Sequence, residues 1–163
     1  MIPSTLRRTL APALLAVLPA VLVAAAAPSA HAAADPRPVR PFVPAADEDP
    51  DVLAAWQDWE ARDVDDYVIS VRLSCFCVPS EAVRTVVRGD RTVRVTRGER
   101  VLPPGRGWSV DEVYELVSRA LPESDSVDVE WSRQGVPTRV AVDPSQLVAD
   151  DESYYTVSVR RLG

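Results

Sequence analysis

Residues 108–142 read WSVDEVYELVSRALPESDSVDVEWSRQGVPTRVAV, and two periodicities meet inside them. Ser109, followed three residues later by Glu112, makes a capping box, the reciprocal pair of bonds that satisfies the first free N–H groups of a helix. Trp108 stands where a hydrophobic staple would reach Val113. Val110, Val113, Tyr114, Val117, Ala120 and Leu121 recur at helical spacing as one apolar stripe, and Pro122 stops it. Beyond Asp125 the period becomes two. Val127, Val129 and Trp131 alternate with polar residues. After the turn Arg133-Gln134-Gly135, Val136, Thr138, Val140 and Val142 do the same. A third alternating run, Tyr155, Val157 and Val159, completes a helix followed by three strands.

The same order occurs upstream. Asp49 is a good N-cap with Pro50 at the first helical position. Val52, Trp56 and Trp59 then share one face of a helix ending near Arg62, which assigns both tryptophans to the core. Tyr67, Ile69, Val71, Leu73 and Cys75 point one way along a strand, while Ser70, Arg72 and Ser74 point the other. Ala82–Arg88 and Arg91–Arg97 alternate with Val83, Thr85, Val87, Val93 and Val95 inward, and Gly89-Asp90 joins them as a two-residue hairpin loop. Val101–Gly107 is a Pro/Gly-rich loop. Runs of strands between single helices predict an α+β fold: an antiparallel sheet of about six strands with two helices on one face, in the order αβββ-αβββ. Residues 49–163 form a single domain, large enough for a core without metals or multiple disulfides.

Outward from that domain, residues 1–32 read as a signal peptide. Arg7 and Arg8 precede a run of Leu, Val and Ala, and Ala30-His31-Ala32 is a small-residue cleavage site, so cleavage is expected after Ala32. The product is a secreted, extracytoplasmic protein with no stable membrane span. Residues 33–48, with Pro36, Pro38, Pro41 and Pro44, read as a flexible Pro-rich linker.

Cleavage would narrow the chemistry. The net charge of -6 becomes -8 without Arg7 and Arg8, and the only His leaves with the leader. The chain has no Lys and no Asn. These absences exclude a His-assisted Ser or Cys nucleophile, a His-ligated zinc, a Schiff-base lysine and an N-linked glycan from the exported part. Net acidity argues against nucleic acid as a partner. No metal, cofactor or catalytic residue is assigned.

The distinctive chemical feature is Cys75-Phe76-Cys77. In an oxidising compartment each cysteine is the other's intrachain partner, so the expectation is a Cys75–Cys77 disulfide. An extended strand would hold the two Cα atoms roughly 6.5 Å apart, near the upper limit for a bridge, but Val78-Pro79-Ser80 can bend the segment. Buried reduced thiols, redox exchange, thiol-mediated dimerisation and a soft-metal site remain alternatives. Arg88-Gly89-Asp90 is the demand of a hairpin tip for Gly between polar residues rather than an adhesion motif. Asp63, Asp65 and Asp66, and Asp150, Asp151 and Glu152, read as solvated turn residues, since neither cluster has the spacing of a calcium loop. Arg84, Arg88, Arg94 and Arg139 form a candidate basic stripe on the open sheet face, with an acidic ligand or polymer as its possible target.

Asp66-Tyr67, Cys75-Phe76-Cys77-Val78-Pro79, the helix from Ser109 to Ala120, Gly135–Asp143 and Ala149–Glu152 together resemble a family of small exported actinobacterial proteins known as domain of unknown function 6174. The resemblance runs from about Trp56 to Val159. It departs in lacking the lipoprotein cysteine that many similar proteins carry, and it implies no activity. The functional expectation is a non-enzymatic binding or structural module that contacts a cell-envelope protein or polymer through its sheet face or Cys-x-Cys edge. The alternative is a thiol-redox or soft-metal protein acting through Cys75 and Cys77. An acid-carboxylate hydrolase ranks third, with no carboxylate pair visibly positioned for it.

Overall fold

The computed structural model describes residues 35–163. The leader and its site at Ala32 lie outside them. The described chain is an α+β domain with eight strands, all paired antiparallel. In chain order they are β1 (Arg37–Pro38), α1 (Pro50–Glu60), β2 (Tyr67–Cys75), β3 (Val83–Arg88), β4 (Arg91–Arg97) and β5 (Arg100–Leu102). A 3-10 turn (Pro104–Arg106) leads to α2 (Val110–Glu123), β6 (Ser126–Trp131), β7 (Pro137–Asp143) and β8 (Ser153–Arg161).

The sheet order is β1-β4-β3-β2-β8-β7-β6, with β5 also on β4. It is two three-stranded meanders set side by side, each preceded by its helix. The seam is β2 against β8, in continuous register from Tyr67 opposite Arg161 to Cys75 opposite Ser153. Both helices form where their caps are built. The Asp49 carboxylate accepts from the Asp51 and Val52 N–H groups, and Ser109 and Glu112 close the capping box in both directions. Pro122 falls inside the last turn of α2, which runs one residue past it to Glu123. A proline there removes at most one backbone bond, so it ends the helix without truncating it at its own position.

One core joins the helices to the inner sheet face. Val52 and Trp59 of α1 and Val110, Val113, Tyr114 and Val117 of α2 meet Tyr67, Ile69, Val71, Val87, Val140 and Val157. Three sequence expectations change. The two extra strands are β1 and β5, of two and three residues, too short to show alternation. The segment read as a linker carries β1 and also Phe42, which is 5% exposed and lies in the core. Its ring stacks on Tyr114 with centroids 5.6 Å apart, and its N–H donates to Asp111 Oδ1 at 2.9 Å. Phe42, together with Val39 packed on the core and the β1–β4 pairing, holds a segment whose composition otherwise favours solvent. On β4, a register shift opposite Val86/Val87 leaves Val93 between pairs, so buried Thr92 takes the inward place expected of Val93. Such a bulge adds a residue and reverses the alternation.

Tyr114 ties the layers together. Its hydroxyl, inside the core, lies 3.1 Å from the Ala55 carbonyl of α1 and 3.0 Å from the Gly135 carbonyl of the β6–β7 turn. Burial pushes its ionisation far above the ordinary tyrosine range, so it remains a donor. Gly135 has φ +83°, and a Cβ there would overlap the Ala55 carbonyl oxygen. We expect Tyr114→Phe to cost about 1–2 kcal/mol by stranding buried carbonyls. Gly135→Ala should cost about 2 kcal/mol or more, since it adds a left-handed backbone penalty to the overlap. Urea denaturation of the two variants checks the order. An alanine at 135 that is tolerated better than phenylalanine at 114 would refute this account of the turn.

Candidate functional site

Strand pairing brings the Cys end of β2 together with the β7–β8 loop. Cys75 pairs with Ser153, which also pairs with Val142 of β7. Past Val71 the core cluster no longer includes the inward-phase residues of β2. Leu73 is consequently exposed and Cys75 half-buried, where alternation alone would bury both. Cys75 and Cys77 lie at disulfide-bonding distance, with Cα atoms 5.1 Å apart. The chain bends directly after Cys75, which brings them closer than an extended strand would. Phe76, between the two cysteines, is 80% exposed, and Val78 is 88% exposed. On the neighbouring loop Leu147 is 95% exposed, and Val148 and Tyr154 are also exposed. This end of the sheet therefore gathers six large exposed apolar side chains.

Beside it, Ser74, Glu130, Thr138, Arg139, Tyr154 and Thr156 line a shallow groove on the open face. Arg139 lies 5.9 Å from the Tyr154 ring centroid and 3.9 Å from Glu130. In the adjacent loop, expected to be solvated, Asp151 buries its Oδ1 without a hydrogen-bond partner, as does Asp143.

The Arg88-Gly89-Asp90 tip is built as a hairpin turn. Gly89 and Asp90 both have positive φ, +50° and +54°, as a type I′ turn requires. Asp66 is an anchor for this tip and no idle turn residue: it pairs with Arg88 at 3.0 Å and accepts from the Gly89 N–H at 2.8 Å. Asp63 and Asp65 instead join Glu60, Asp90 and Asp111 around a cleft of about 210 Å³. Burial first, then its acidic neighbours Asp111, Asp90 and Asp63, raise the Glu60 pKa. Burial also raises Asp111, against the opposing hydrogen bond from Phe42, and raises Glu112, against that from Ser109. These acids come from the end of α1, the β3–β4 hairpin and the start of α2, so no local motif announces the cleft. No group of three or more His, Cys, Asp or Glu among the described residues is arranged to hold a metal ion. None of the described helices is long and apolar enough to cross a membrane.

The fold and these surfaces define a small α+β domain with an apolar, cysteine-tipped sheet end and an arginine-bearing open face. Residues 51–161 match the model of a family described as "Family of unknown function (DUF6174)", and the chain belongs to that family. No curated protein and no solved structure matches the chain. Strand β1 and Phe42 lie ahead of the matched region.

Two outcomes follow. A Cys75–Cys77 bridge would close very little chain, so Cys75→Ser/Cys77→Ser should lower stability by well under the roughly 3 kcal/mol of a 15-residue disulfide loop. A larger loss in chemical denaturation would mean the ring holds up the fold. The raised carboxyls of Glu60, Asp111 and Glu112 bind protons more tightly folded than unfolded, so their contribution is complete at low pH and lost as pH rises through the folded values. Melting temperature should therefore rise between pH 7.5 and pH 5, and Glu60→Gln should flatten that slope.

Proposed function

We propose that this chain is an exported, non-enzymatic binding module of the cell envelope, with the Cys75–Cys77 end of the sheet as its docking surface. The observation that carries this reading is the presentation of Phe76 by a three-residue cysteine ring. An aromatic side chain fixed outward in a short covalent loop loses little freedom on binding, which lowers the entropic cost of association. Val78 follows Phe76 directly, and Leu147 and Val148 are exposed on the neighbouring loop, while Leu73 and Tyr154 flank the same end on opposite faces of the sheet. Grouped exposure of this kind marks interaction sites, whereas scattered exposed residues do not. Export is supported by the leader and by a cysteine pair suited to an oxidising compartment. The partner is an envelope protein or polymer.

A second reading is thiol-redox exchange, favoured by the exposure of Cys77. An external thiolate would attack one sulfur of the bridge, release the other as a thiolate and leave a mixed disulfide.

The tests are separable. Intact mass of the protein from culture medium and envelope fractions should correspond to a chain beginning at Ala33, and a product retaining residues 1–32 counts against export by cleavage. Phe76→Ser/Val78→Ser should reduce retention on isolated envelopes at least about tenfold while leaving the melting temperature unchanged. Equal retention of wild type and variant sinks the docking surface. A reduction potential well below that of cellular thiol pools removes the redox reading.

A further inference from the structure

The helices cover one face of the sheet, and the opposite face of its central strands carries arginines without carboxylates. By alternation and exposure, β2 contributes Ser70, Arg72 and Ser74 to that face, β3 contributes Arg84, and β4 contributes Arg94 and Thr96. Strand β8 adds Thr156, Ser158 and Arg160. No Asp or Glu of these four strands lies on it. The open-face acids of the strands, Asp128, Glu130 and Asp143, belong to β6 and β7 at one side. Among the described residues, Arg72, Arg84, Arg94 and Arg160 have no salt bridge, whereas Arg88 and Arg139 have one each.

Register sets these charges in order. Arg94 lies opposite Val86, two residues from Arg84. Arg84 lies opposite Ser70, two residues from Arg72. Both steps run toward the Cys75 end, so Arg94, Arg84 and Arg72 form a diagonal ladder. Diagonal neighbours on adjacent strands stand roughly 7–8 Å apart. Arg72 is then level with Thr156 and, beyond it, Arg139. In a chain of net charge -6, four unpaired guanidinium groups on one flat face are a local reversal of sign. Cations left unneutralised and interleaved with hydroxyls suit an anionic partner, since guanidinium binds phosphate and carboxylate oxygens in two-pronged fashion and serine and threonine add donors.

We propose that this face binds a linear anionic polymer, with phosphate or carboxylate groups engaging Arg94, Arg84 and Arg72 in succession. A flat, open ladder fits an extended chain of repeated charges rather than one small anion, which would need an enclosing pocket. The acids of β6 and β7 repel the same polymer and bound its track on one side. The proposal does not depend on the apolar Cys75–Cys77 end.

The test measures binding of the full chain to fluorescent long-chain polyphosphate and, separately, poly-γ-glutamate across a series of salt concentrations. Binding to either polymer is expected, weakening steeply with salt. Arg72→Gln/Arg84→Gln/Arg94→Gln should reduce affinity at least about tenfold and make the log–log salt slope shallower by about two. Arg106→Gln/Arg119→Gln/Arg133→Gln makes the same charge change at exposed positions off this face and should leave binding in place. Preference for polyphosphate assigns a phosphodiester-type polymer, and preference for poly-γ-glutamate an acidic polysaccharide or peptide. No binding to either at 50 mM salt (roughly the low-salt regime), or equal losses in both triple variants, overturns the proposal. The single substitutions Arg72→Gln, Arg84→Gln and Arg94→Gln give the same read-out in smaller steps should the triple variant fail to fold. Phe76→Ser, which removes the apolar anchor, should bind the polymers as wild type does.

Discussion

The domain depends on one buried hydroxyl. Tyr114 Oη sits between the Ala55 carbonyl of α1 and the Gly135 carbonyl of the β6–β7 turn, so one side chain of α2 sets the distance between both helices and the second meander. Its ring lies between Phe42 and Trp131, with stacked centroids at 5.6 and 6.1 Å. Polar and apolar contacts therefore converge on the same residue. A carbonyl removed from water requires a donor, and a donor fixed by a packed ring has little freedom to choose another. Gly135 belongs to this arrangement because only a residue without a Cβ lets the turn approach α1 so closely. The first meander has a weaker counterpart: the Tyr67 hydroxyl accepts from the Val110 N–H at the start of α2.

Much of this was legible in the residues, and the reasons differ by element. Caps are local, so Asp49 and Ser109 mark helix starts with no knowledge of the fold. The alternation of β2, β3, β6 and β8 declares which face is buried, and the αβββ repeat follows from order alone; on β7 a register shift opposite Glu130/Trp131 takes Thr138 out of the inward place that alternation gives it. What escaped was whatever depends on a distant partner. Val93 loses its inward place because of pairing with β3. Leu73 escapes burial because the helical layer does not extend over that end of β2. Phe42 becomes a core residue because an aromatic pocket awaits it, which its proline-rich surroundings conceal. The acidic cleft unites Glu60, Asp90 and Asp111, which no spacing rule connects. The cysteine pair was visible at once, but its bend and the outward placement of Phe76 belong to three-dimensional geometry.

The charge distribution is as organised as the core. Acids collect where the helix ends meet the β3–β4 hairpin and in the β7–β8 loop, while unpaired arginines occupy the outer face of the central strands. Total charge alone would describe a uniformly acidic particle. The surface is instead divided by sign, and its apolar end lies between an arginine-bearing face and an acidic loop. Surface ion pairs contribute little to this fold: the two among the described residues are both exposed, and pairs of that kind are worth about 1 kcal/mol or less.

The two sides of the sheet also end differently. The outer side of β4 is occupied at one end by the two residues of β1, one of them a proline, and at the other by the three residues of β5. Strands this short offer almost no backbone for another chain to copy. The opposite margin, β6, has six residues and no outer neighbour among the described residues. Growth by edge-to-edge pairing would thus have one usable margin per molecule, and a second copy joined there would consume it. The topology limits strand-mediated self-association to a closed pair, which protects a protein rich in β-structure from templated fibre formation.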